Sequence, residues 1–140
     1  MDLSESRALV PAPARILGGP DILQFQELSR QVVIAEEIAR YTVRLVDASR
    51  PGRQSNHDFV REWVKWGAGL RASQSLILAG KARALLNGRY HVSFDDIRAL
   101  AHPVLRHRVL TNFHAESEGI SSDSIIDQLL EAVPQPRSGM

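Results

Sequence analysis

Between Arg71 and Asn87 the chain runs without a proline, and Leu76, Ala79, Ala82, Leu85 and Leu86 return at intervals of mostly three and four residues. An α-helix brings side chains back to one face at that interval, whereas a strand does so every second residue. Gly88 follows where a helix end favours a left-handed residue. A helix with an apolar side needs partners to cover it, and the rest of the chain offers them with the same period. Ile22, Phe25, Leu28 and Val32 mark one apolar stripe, and Ile38, Tyr41, Val43, Leu45 and Val46 a second helix over about 35–48. That helix stops before Arg50-Pro51-Gly52, because proline restricts the residue ahead of it and glycine permits a turn.

Asn56 is placed to cap a short helix through Phe59, Val60, Trp63 and Val64, which Gly67-Ala68-Gly69 then breaks. Ser93-Phe94-Asp95-Asp96 reads as a capping box, with Asp in place of the longer Glu or Gln. It opens a helix through Ile97, Leu100, Ala101, Val104 and Leu105, which Pro103 is expected to kink or divide. Ser121 or Ser122 caps a last helix holding Ile125, Ile126, Leu129 and Leu130. The expected fold class is all-α, a small helical bundle with at most a very short extended segment near 90–92. Residues 1–20, rich in proline, glycine and small side chains, read as a linker or flexible N-terminal segment. The helical domain then covers 21–133, and 134–140 is a flexible tail.

With 140 residues and 44% hydrophobic content the chain can bury one core, built on Leu, Ile, Val and Ala because only 6% is aromatic. A net charge of +1 exerts no general pull on nucleic acid or an anionic membrane. No apolar run approaches the roughly 18 residues of a membrane span, and the N-terminus lacks the pattern of a signal peptide. The expected compartment is the cytoplasm, with no nucleic-acid partner. Without cysteine, disulfides and thiolate metal sites are excluded. Charge is unevenly spread: Arg98, Arg106 and Arg108 lie in a stretch free of acids, while Glu116, Glu118, Asp123, Asp127 and Glu131 gather where Lys and Arg are absent. The Arg106-His107-Arg108 run therefore either contacts another domain or subunit, or pairs with the acidic final helix.

Nothing in the chain assembles a catalytic centre. Gly80-Lys81 lies mid-helix, lacks an earlier glycine at phosphate-loop spacing and is followed by Ala82 rather than Ser or Thr. Val32-Val33-Ile34-Ala35-Glu36-Glu37 imitates an apolar strand ending in a metal-binding acid and a catalytic Glu, but Glu36 and Glu37 fit a helix first turn, whose dipole favours them. His102 and His107 are five apart and share no helix face, so no metal site is expected. The stretch that bears on function is Trp66-Gly67-Ala68-Gly69-Leu70-Arg71-Ala72: a glycine-rich break entering an amphipathic helix with arginine in its first turn. Helix N-termini present unpaired amides and partial positive charge to anions. A guanidinium fits the paired oxygens of a phosphate.

Gly67-Ala68-Gly69-Leu70-Arg71-Ala72 resembles the Gly-Ala-Ser-Pro-Arg-Ala segment of MoxR-type AAA+ ATPases. Tyr41-Thr42-Val43-Arg44-Leu45-Val46, Gly88-Arg89-Tyr90-His91-Val92-Ser93-Phe94-Asp95-Asp96-Ile97, Val104-Leu105-Arg106-His107-Arg108 and Leu130-Glu131-Ala132-Val133-Pro134 resemble further family segments, in the family's order over about 21–136. The resemblance implies a C-terminal helical lid closing over a nucleotide held by a preceding core domain, which supplies the phosphate loop and magnesium acids. Arg71 would be the sensor-2 residue at the γ-phosphate, with Gly67 and Gly69 setting loop geometry. ATP and Mg would be bound mainly by that core, with none bound tightly by this chain alone, which is expected to be inactive. The expected partners are the core, neighbouring subunits of a ring, commonly a hexamer, and a von Willebrand factor A-type protein. The role would be chaperone-like remodelling or maturation. Where the family has Ser and Pro, Gly69 and Leu70 predict a looser loop, and Ala35 stands where a capping Ser is common. The alternative from another class is a free-standing helical interaction or adaptor module.

Overall fold

The computed structural model describes residues 11–52 and 57–136, so the cap expected at Asn56 lies outside the described residues. Among the described residues seven helices and two short strands follow one another: α1 (Gly19–Gln31), α2 (Glu36–Ala48), α3 (Asp58–Trp63), β1 (Val64–Trp66), α4 (Leu70–Leu86), α5 (Phe94–Leu105), β2 (Leu110–Thr111), α6 (Phe113–Ser117) and α7 (Ser122–Ala132). The all-α expectation holds. The extended stretch near 90–92 forms a single parallel bridge, Val33 to His91, closed by Val33 N–H to the Tyr90 carbonyl and Val92 N–H to the Val33 carbonyl, each 3.0 Å.

At the centre lies α4, packed on α5, α2 and α1. Its buried positions are Ala72, Ser73, Leu76, Gly80 and Ala84; of the stripe the spacing favours, Leu76 is buried and Leu85 packs against the core, while Leu86 is 88% exposed. A helix touched from several sides puts its smallest residues at the closest approaches. A Cβ on Gly80 would lie 3.2 Å from both Ile97 Cδ1 and Val92 Cγ1, so this glycine serves packing. Around α4 the core is filled by Tyr41, Leu45 and Val46 of α2, Ile97, Ala101 and Leu105 of α5, and Ile125, Ile126 and Leu129 of α7. Each large aliphatic side chain so buried contributes about 1.5–3 kcal/mol.

Three local expectations are corrected. The helix expected through Val64 ends at Trp63, because Val64 enters an antiparallel pairing with Thr111, and Trp66 with Leu110. Asn112 secures the junction, its N–H donating to the Trp63 carbonyl (2.9 Å) and its side-chain amide to the Glu62 carbonyl (2.7 Å). Pro103 does not divide α5, which runs unbroken to Leu105. The stripe on α1 is not a core face: Ile22, Phe25 and Leu28 remain 41–50% exposed, and only Val32, at the helix's end, is buried. Lys81 Nζ donates to the Arg30 carbonyl (3.1 Å) and ties α1 to α4.

The capping box is formed. Ser93 Oγ accepts from Asp96 N–H, and the Asp96 carboxylate accepts from Ser93 N–H at 2.8 Å. That carboxylate is 1% exposed and also takes both Arg89 guanidinium nitrogens, at 2.7 and 2.8 Å. The Arg89 hydrogen bonds, with help from Ser93, outweigh burial and hold the Asp96 pKa at about 2. Gly88 adopts φ +70°, the left-handed conformation expected at the end of α4. Of the two candidate caps on α7, Ser121 does the capping.

Candidate functional site

Arg71 stands at the second position of α4, and the loop before it is fixed from behind. Gly67 lies against the end of α2 so closely that a Cβ would sit 2.4 Å from the Ser49 carbonyl oxygen and 2.6 Å from Arg50 Cα, both backbone atoms. Ala68 is buried and held on both sides: its N–H donates to Ser49 Oγ (2.9 Å), and its carbonyl accepts from Arg50 Nε (2.9 Å). Ser49 Oγ in turn donates to the Val46 carbonyl. The Gly67-Ala68 segment ahead of α4 is therefore clamped to the end of α2. Gly67 is required by close approach. Gly69 is not: its φ is ordinary and a Cβ there would meet open space.

As N-cap of α4, Gly69 offers no side chain to the first-turn amides, and that turn contains no acid. No Asp or Glu occurs anywhere between Trp63 and Phe94. The Arg71 side chain is exposed, and among the described residues its guanidinium has neither an ion pair nor a hydrogen bond. Ser73, in the same turn, is buried with no hydrogen-bond partner for its Oγ among the described residues. The result is a helix end carrying partial positive charge and an exposed, unpaired cation, which is the arrangement an anionic oxygen would complete. Among the described residues no group of three or more His, Asp or Glu side chains could hold a metal ion.

The basic run after α5 separates. Arg106 Nε contacts Asp123 Oδ1 of α7 at 3.2 Å, beside His102, whose ring nitrogens approach Asp123 (3.2 Å) and Asp127 (2.8 Å). Both contacts lower the Asp123 pKa, His102 most. His107 is exposed, and Arg108 reaches Ser75 Oγ of α4 at 3.5 Å. Of the run, Arg106 alone pairs with the acidic final helix, at Asp123, while Asp127 is met by His102. Ser49, Arg50 and Ser75 escape sequence reasoning because each acts on a residue remote in sequence or only through one.

The AAA lid domain family matches residues 59–129. MoxR1, a chaperone of Mycobacterium tuberculosis, is 33% identical over 127 residues, covering 91% of this chain and 34% of its own length. YeaC of Bacillus subtilis is 28% identical over 136 residues, covering 97% of this chain and 40% of its own. A crystal structure from Cytophaga hutchinsonii, of a protein proposed to be an ATPase, superposes with a TM-score of 0.78 at 33% identity, over 82% of this chain and 35% of that one. The chain therefore spans 34–40% of the length of these relatives. Matched by the family over its central helices, and in sequence and shape by MoxR-like proteins over nearly its whole length, the chain belongs to the AAA lid domain family and is a lid of the MoxR type.

Proposed function

We propose that the chain is the nucleotide-sensing lid of an AAA+ ATPase, in which Arg71 contacts the γ-phosphate of ATP held by the core domain. The observation that carries this reading is the unpaired Arg71 guanidinium on an acid-free, uncapped helix start that α2 holds in place. ATP offers that guanidinium a terminal phosphate and ADP does not. A charge-assisted hydrogen bond of about 1.5–3 kcal/mol shifts a two-state lid by roughly one to two decades. Hydrolysis belongs to the core, which also binds magnesium. Ring assembly, a chaperone-like role and a von Willebrand factor A-type partner extend the same reading.

In the complete ATPase, Arg71→Ala is expected to lower ATP turnover about ten-fold or more. The melting temperature of the 140-residue chain should stay at its wild-type value, because the side chain makes no contact that folding needs. Wild-type turnover in that variant would end the assignment. The adaptor reading draws on the exposed apolar residues of α1. It predicts that the chain binds a protein partner with no ATPase core present.

A further inference from the structure

Arg106 and Arg108 leave the end of α5 for different neighbours. Arg106 joins Asp123 on α7, where it has a counter-ion. Arg108 turns to α4: its guanidinium donates to the Val104 carbonyl and reaches Ser75 Oγ at 3.5 Å, the outer limit of a hydrogen bond. Ser75 donates in turn to the Arg71 carbonyl at 2.9 Å. Ser75 follows Arg71 by four residues, so the two share one face of α4, about 6 Å apart along the axis. Tertiary packing thus brings a second guanidinium, from 33 residues away in sequence, to the second turn of α4, one turn beyond Arg71.

This second cation also lacks a counter-charge. Arg108 is partly buried and has no carboxylate partner among the described residues. The chain on either side of it, from Arg98 to His114, contains no acid, and neither does the whole of α4. A partly desolvated guanidinium without a counter-ion is unfavourable. Two cations near the positive end of one helix add repulsion. An anion bearing several oxygens relieves both.

Building on the assignment of Arg71 above, we propose that Arg108 is a second phosphate-binding cation of the same site, held on α4 by Ser75, and that its ligand is the polyphosphate of a nucleoside triphosphate. In the complete ATPase, Arg108→Gln should weaken a fluorescent non-hydrolysable ATP analogue about ten-fold while leaving ADP within about two-fold. Arg108→Lys keeps the charge and should recover most of that loss. Ser75→Ala frees Arg108 without changing charge and should weaken the analogue about three-fold, which keeps the test open if Arg108→Gln misfolds. Arg71→Ala measured in parallel separates the two assignments. If Arg71→Ala weakens the analogue and Arg108→Gln does not, Arg108 is a packing residue and the proposal is overturned. If Arg108→Gln weakens it and Arg71→Ala does not, Arg71 is wrongly assigned and Arg108 stands. Equal loss of analogue and ADP in all the Arg108 and Ser75 variants, with lowered melting temperature, would also overturn it.

Discussion

The C-terminal end of α4 runs into Asn87 and Gly88, and nearly every polar group there is answered. Asn87 N–H bonds to the Arg83 and Ala84 carbonyls, Gly88 takes the left-handed turn, and Arg89 N–H returns to the Ala84 carbonyl. Arg89 and Arg83 then converge on the buried Asp96 carboxylate. The N-terminal end, 17 residues away, has a glycine cap without a side chain, no acid in its first turn, a buried Ser73 hydroxyl without a partner and an unpaired Arg71. Both ends are tied to the rest of the molecule, one by Asp96, the other by Ser49 and Arg50. They differ in what is left unsatisfied. Rigid support with open electrostatics suits a ligand site; rigid support with closed electrostatics suits a structural joint.

The largest perturbation should come from the closed end. Asp96→Ala leaves Arg89 and the Ser93 amide without their acceptor and should destabilise the chain by about 3 kcal/mol, measured by denaturant unfolding. The same carboxylate predicts a pH dependence. Its folded pKa of about 2 lies below the ordinary 3.8, so on acidification the unfolded chain takes up the proton first. Its contribution, about 2 kcal/mol, is complete above about pH 4 and lost as pH falls through 2. Asp96→Asn should flatten that segment of the stability profile. An unchanged acid limb would show that Asp96 is no such joint.

Next comes the clamp behind the open end. Gly67→Ala drives a methyl into the Ser49–Arg50 backbone and should cost about 2 kcal/mol, with nucleotide discrimination in the complete ATPase lost along with the placement of Arg71. If stability falls and discrimination survives, the clamp does not position the site. The smallest effect sharpens the contrast from the other side. Gly69→Ser supplies the missing cap in open space and should stabilise the chain by a few tenths of a kcal/mol. It should also weaken ATP-analogue binding slightly, since its Oγ would occupy amides offered to the ligand. Tighter analogue binding in Gly69→Ser would argue against those amides as part of the site.

Much of this contrast was legible before any coordinates. Gly88, the Ser93–Asp96 box and Arg71 at a helix start are all read from residues within one turn of each other, and each stands where the spacing puts it. The clamp was not legible, because Ser49 and Ala68 are 19 residues apart and nothing local to either announces the other. The pairing of β1 with β2 is equally non-local, and it cuts α3 short at Trp63, a place where local propensity alone continues the helix. On α4 the apolar period was right and Leu76 is buried as expected, but the buried face is centred on the small residues Ala72, Gly80 and Ala84 and leaves Leu86 out, since how closely α5 and α2 approach decides which side needs small residues.

The sequence by itself determined most of the long helices, the Ser93 and Gly88 caps, and the likeness to MoxR-type lids, because hydrogen-bond period and capping chemistry act over four residues or fewer; the short α6 and the stop of α3 it did not. Only the tertiary structure decided that α1 keeps its apolar side about half exposed, that Arg106 and Arg108 part company, and that Arg108 reaches Ser75, one turn beyond Arg71 on α4. Those outcomes depend on the angles at which packed helices cross. Such angles are set by the fit of whole surfaces, a property that no short stretch of chain contains.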